Sequence, residues 1–322
     1  MRLKRIFKIV LVFFFFSLPV VAFMQRLTIF DWFRLHGYQP PIAVSQLAAE
    51  TTMQPYTKHL FYVYHPLIED KAAFNTACHA GEQTIVLGCY IDGFGIHIFN
   101  VTDQRLAGVE QVTAAHETLH AAYARLSSSE RKKVDTMTAD AFSNLKDQRI
   151  KDTIELYRKQ DAKVVPNELH SILGTEVRNL PINLENYYSK YFSNRLKVVS
   201  FSEQYEQAFT DRKIAITRYD AELLSTKDKI TALQSSLSDQ SVKLTNERTR
   251  LNNLRSSDQI AAYNEAVPGF NALVQHYNQD VDSLSGLINH YNEVVSKRNS
   301  IATEEDELVN AIDSRTTVPA RQ

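Results

Sequence analysis

Three residues in "TAAHETLHAAYARL" (113–126) have the types and spacing for metal-assisted chemistry: His116, Glu117 and His120. Helical residues four apart share a face, so both imidazoles can reach one ion. Glu117 is turned about one hundred degrees from His116, which lets its carboxylate reach a water on that ion without ligating it. Two imidazoles suit zinc, and a carboxylate beside an activated water supplies the base that amide hydrolysis needs.

A catalytic zinc needs a third protein ligand, with one place left open. The stretch "NELHSILGTE" offers Glu168, His170 and Glu176. On a helix the two glutamates lie about eighty degrees apart, while His170 points largely away from Glu168. A carboxylate is the natural companion to two imidazoles. The second glutamate then serves as a partner that holds a ligating ring or a positioning residue.

These residues need elements to carry them. The alternation in "HLFYVYH" (59–65) predicts a strand, as do "QTIVLGCYI" (83–91) and "GFGIHIFNV" (93–101). From Thr102 or Asp103, either of which can cap, the period becomes helical, with Leu106, Val109, Val112, Leu119 and Ala122 on the apolar side. Ser127 and Glu130 form a capping-box pattern ahead of further helices at about 130–146 and 152–162. Pro166 suits a first helical turn, and Pro181 ends that helix. Beyond 200 a heptad seam appears, with Phe209, Ile216, Leu223, Ile230, Leu237, Leu244 and Leu251 at a. Its d positions are weaker: Tyr205, Tyr219, Leu233 and Leu254 alternate with Thr226, Gln240 and Glu247. Tyr-Asn recurs at 263, 277 and 291, two heptads apart, in a second long helix expected from about 270 to 313 after "AVPGF". Two helices joined at that break imply an antiparallel hairpin or parallel association between chains.

The motif and its surroundings resemble the gluzincin group of zinc metallopeptidases, most nearly compact catalytic domains of the anthrax-lethal-factor type and the small minigluzincins. The resemblance covers residues 57–195. It implies an α+β fold, a zincin-like catalytic domain with a small antiparallel or mixed sheet, here followed by a long α-helical coiled-coil region. It implies His116, His120 and Glu168 as ligands of one zinc per chain and Glu117 as general base, with Glu168 lying 48 residues beyond His120. Glu176 stays open as the alternative third ligand or as a partner of the liganding groups. Position 161, where the group's tyrosine would stand, is Asp. Tyr123, Tyr157, Tyr187, Tyr188 and His170 therefore stay open as oxyanion or substrate contacts. By the same likeness Gly95, Ile96, His97 and Ile98 form an edge strand that pairs with an extended substrate.

Residues 6–24, "IFKIVLVFFFFSLPVVAFM", follow Arg2, Lys4 and Arg5 and predict a transmembrane signal-anchor over 1–24, making the protein single-pass with its bulk outside the cytoplasm. Secretion after signal cleavage is the alternative. Cys78 and Cys89, eleven apart, suit a disulfide worth roughly 3 kcal/mol in the chain-closure picture. A linker over 25–56, a peptidase domain over 57–198, a coiled-coil hairpin over 199–313 and a flexible tail over 314–322 complete the expected order. The 36 basic and 37 acidic residues form no concentrated basic patch, which argues against nucleic acid. The expectation is a membrane-anchored, extracytoplasmic zinc endopeptidase acting on peptide or protein substrates. Its coiled coil is a site for homo-oligomers or an envelope protein. The alternatives are a non-enzymatic cell-envelope scaffold or binding protein built on the coiled coil, and a zinc hydrolase acting on a different amide.

Overall fold

The computed structural model describes residues 21–78 and 85–315. The described residues divide into two compact units, one formed by those up to 207 with 310–315 and the other by 208–309.

The first unit opens with helices α1 (Arg26–Leu35), α2 (Ile42–Glu50) and α3 (Pro55–Val63). The stretch expected as a linker is therefore folded, and Val44, Leu47 and Ala48 lie in the core. Asp31 on α1 pairs with Arg125 at 2.6 Å, and Arg34 donates to the Val63 carbonyl at 2.9 Å. The expected strand over 59–65 is also corrected. Pro55 opens a helix there, and the buried Thr57, Leu60, Phe61 and Tyr64 recur at helical spacing beneath the aromatic alternation.

Strands β1 (Leu67–Glu69), β2 (Gly88–Ile91) and β3 (Gly95–Phe99) form a small mixed sheet in the order β1-β3-β2, with α4 (Lys71–Cys78) between β1 and β2 in sequence. β3 runs parallel to β1 and antiparallel to β2. It is bonded on both sides, so Gly95, Ile96, His97 and Ile98 offer no open edge; the edges belong to β1 and β2. Ile96 and Ile98 face the core, whereas His97 bonds Glu69 at 2.9 Å. Cys78 and Cys89 form a disulfide that ties α4 to β2.

A mostly helical body packs on this sheet: α5 (Val109–Ala124), α6 (Ser128–Ser143), α7 (Gln148–Asp161), α8 (Val165–Glu176) and α9 (Ile182–Tyr188). Asp103 caps only a short 3-10 turn, Gln104–Leu106; α5 itself begins after Gly108. The capping box at Ser127 and Glu130 opens α6. Ser314, expected in a flexible tail, is buried and donates to the Val86 carbonyl at 2.6 Å. Residues 316–322 lie outside the described ones.

No helix among the described residues is long and apolar enough to cross a membrane. Spanning takes about 20 apolar residues, and α1 has ten residues in all, three of them charged: Arg26, Asp31 and Arg34. This overturns the membrane-anchored placement, the membrane partner and the single-pass topology expected above. The run that suggested them, 6–24, falls outside the described residues except for its last four.

In the second unit α10 (Arg195–Ser256, from residue 208 on) and α11 (Ile260–Ile312) run antiparallel. Arg212 pairs with Glu304, Asp220 with Arg298 and Glu222 with His290, so numbers rise along one helix as they fall along the other. The chain does not reverse at "AVPGF": Pro268 lies inside α11. It turns at Asp258, whose φ is +60. There Gln259 donates to the Leu254 carbonyl at 3.0 Å and Asp258 to that of Arg255 at 3.3 Å. This is the bonding of a Schellman stop, with aspartate in the left-handed place that glycine usually takes.

Candidate metal centre

Helix α5 lies between the sheet and α8, and small residues set its spacing. Ala114, Ala115 and Ala121 are fully buried along it. On the facing helix, a Cβ at Gly174 would stand 2.5 Å from Leu119 Cδ1 and 2.8 Å from Tyr188 Cε1. The two helices approach this closely only because position 174 has no side chain. Pro166 opens α8 and puts Glu168 in its first turn. At the other end Arg195, almost wholly buried, donates to the carbonyls of Val177 at 2.7 Å and Arg178 at 2.9 Å. It thereby satisfies acceptors that the helix end and the turn after it would otherwise leave bare. Glu185 balances its charge.

With α8 held in this way, Glu168 meets the two histidines. His116 Nε2 and His120 Nε2 are 3.0 Å apart, and each stands 3.6 Å from a Glu168 oxygen. Ligands about 2.05 Å from a tetrahedral zinc are separated by about 3.3 Å, and the observed spacings fall on either side of that value. The three side chains form a cluster that can coordinate a metal ion, with Glu117 adjacent and 5 % exposed. Glu168 Oε2 is buried with no hydrogen-bond partner. Leaving a charged acceptor so placed is costly, and a cation at the point the three groups face would satisfy it. The donor set of two imidazoles and one carboxylate fits zinc.

Burial alone would push the Glu168 carboxyl up, but the two imidazoles beside it and the Tyr157 hydroxyl hold it below the usual carboxylate range. Ser171, fully buried on α8, has its hydroxyl 3.3 Å from His120 Nδ1. A ring N–H donated there would leave the Nε2 lone pair facing Glu168 and His116, the tautomer that ligation requires.

The other candidates are placed elsewhere. Glu176 pairs with Arg149 at 2.9 Å, and Arg149 also meets Glu206 at 3.2 Å, so Glu176 is absent from the cluster and holds no ligating ring. His170 is fully buried, with Nε2 2.9 Å from the Tyr187 hydroxyl. Burial, helped by the nearby His120 and His116 rings, takes its pKa down to about 3, so its ring is neutral. Tyr187 also bonds Tyr191, Tyr188 donates to the His170 carbonyl and Tyr123 donates to Asp135. Of the four tyrosines, Tyr157 is the one whose hydroxyl reaches a member of the cluster. Sequence reasoning passed over Ser171 and Arg195. Ser171 was within reach, since it lies three residues from Glu168 on one helical face. Arg195 carried no local signal.

No protein-family model, curated protein or solved structure matches this chain.

Proposed function

We propose that the protein is a zinc-dependent hydrolase of peptide bonds, with His116, His120 and Glu168 as the metal ligands and Glu117 as the general base. The observation that carries this reading is the convergence of three donor atoms at zinc-like spacing around a buried carboxylate oxygen with no other partner. When bound, zinc supplies Lewis acidity that polarises a carbonyl and acidifies water. Glu117 takes the proton from the attacking water and delivers it to the leaving amine. Ser171 holds the His120 ring in register for ligation, and Tyr157 places its hydroxyl beside the Glu168 carboxylate. Strand β2, at the sheet edge and against Glu117, is the element beside which an extended peptide would lie.

The test combines metal analysis with turnover of a diverse peptide library. The expected result is one zinc per chain, lost in Glu168→Gln and kept in Glu176→Gln. Glu117→Gln should keep zinc and lose about 10²–10⁴-fold in turnover. Zinc retained by Glu168→Gln, or undiminished cleavage by Glu117→Gln, refutes the assignment.

A second reading is a non-enzymatic scaffold or binding protein built on the helical hairpin. The ion pairs spaced along α10 and α11 favour it, because they hold an extended, regular surface in register. A folded protein that binds no zinc and cleaves no peptide would select this reading.

A further inference from the structure

A cavity of about 630 Å³ lies in the body among the end of α5, the first half of α6, the start of α3 and the turn after α9. That volume is within the range of small-molecule sites. None of His116, Glu117, His120 and Glu168 lines it. Val134 and Met137 give it apolar surface, and the rings of Tyr187 and Tyr191 add aromatic surface. Its charged lining residues are Arg125, Glu130, Lys133 and Lys190.

Two of those charges are already engaged. Arg125 donates to both oxygens of Asp31, at 2.8 and 2.6 Å. Glu130 accepts from the backbone N–H and the hydroxyl of Ser127. These bonds, and after them the Lys190 and Lys133 charges, hold its carboxyl below the usual range, so both ammonium groups stand on its side of the cavity. Lys133 and Lys190 are exposed, and neither ammonium has a carboxylate partner among the described residues. Set against Glu130, the two lysines leave a surplus of one positive charge.

The buried side supplies a further donor. His170 Nε2 lies 2.9 Å from the Tyr187 hydroxyl, which lies 3.0 Å from that of Tyr191. His170 Nδ1 is buried with no partner. Orphaned buried N–H groups are rarer than bare acceptors, so the ring proton sits on Nε2 and donates to Tyr187. Two phenolic protons then share one contact between the hydroxyls, and one of them has no acceptor among the described residues. Both tyrosines are buried and both line the cavity, so that acceptor has to come from the cavity's contents. We propose that the cavity binds a small organic monoanion, a carboxylate on an aryl-bearing apolar body. The carboxylate takes the two ammonium groups and the phenolic proton as donors, and the body lies against Val134, Met137 and the tyrosine rings. The site is independent of the metal reading.

The test titrates the full chain by calorimetry with hydrocinnamate, its neutral amide and inorganic phosphate. The expected result is one saturable site per chain for the acid, at least tenfold weaker binding of the amide, and no displacement of the acid by phosphate. The Lys133→Met/Lys190→Met variant, changed only at exposed positions, should keep its Tm and its zinc content and lose at least tenfold in affinity for the acid. Its affinities for acid and amide should then be alike. Absence of saturable acid binding, equal affinity of the parent protein for acid and amide, or displacement by phosphate overturns the proposal. So does undiminished acid binding in the lysine variant, the result expected if the acid sits on the metal instead.

Discussion

The body and the helical hairpin are held together in different ways. In the hairpin the contacts repeat. The a positions from Phe209 to Leu251 are buried or half-buried, yet few of its residues are buried outright, among them Leu237, Leu251, Val294 and Leu308. Its polar seam residues are accommodated pairwise, as where Gln240 donates to Asp280 at 2.6 Å. In the body, large side chains such as Tyr188, Phe61 and Phe192 are fully buried, and Gly174 beside Tyr188 has no room for a substituent. A regular seam spreads a disturbance over many like contacts, whereas an irregular core concentrates it on one. The metal cluster belongs to the irregular region, where a shift of a few tenths of an ångström alters donor spacing.

That contrast can be broken by substitution. The largest effect is expected at Gly174→Ala, where the new methyl meets Leu119 and Tyr188. Overpacking should destabilise the body by about 1–3 kcal/mol in denaturant titrations and weaken zinc binding as α8 retreats; a neutral result would show that the helices have slack. Next comes Ser171→Ala, expected to leave the fold intact and lower zinc affinity about 10–100-fold, as measured by chelator competition. Unchanged affinity would mean that the His120 ring is oriented by something else. The smallest effect is expected at Gln240→Ala in the hairpin, which removes one half-buried hydrogen bond worth about 0.5–1.5 kcal/mol. Its zinc content should equal that of the parent protein, and a loss of metal would contradict the contrast.

Legibility divides along the same line. A seven-residue count locates the hairpin's seam because side-chain direction there depends only on position along a straight helix. Val281, four residues past Tyr277 in the fourteen-residue repeat, is nevertheless 41 % exposed, while Asp280 beside it takes the interhelical contact. The stop at Asp258 escaped notice because glycine and proline were the expected signals. In the body, the sharing of one face by His116 and His120 follows from helical period alone. The choice between Glu168 and Glu176 does not, since it turns on Arg149, 27 residues before Glu176 and invisible to local pattern. The place of β3 at the centre of the sheet likewise depends on β1, a three-residue strand that gives no periodic signal, pairing across some thirty residues of chain. Ser171 was readable and Arg195 was not, because one lies on the ligand's own helix and the other reaches in from a different element.

The bond from Ser314 to Val86 joins residues separated by 228 positions, and Asn75 reaches Ser314 across 239. During synthesis the strand beside Glu117 can gain this fastening only after residue 314 has left the ribosome. Closing so long a loop is among the slower kinds of folding event, so the nascent protein passes through a stage in which the two histidines are already helical neighbours while the wall opposite their glutamate is still loose.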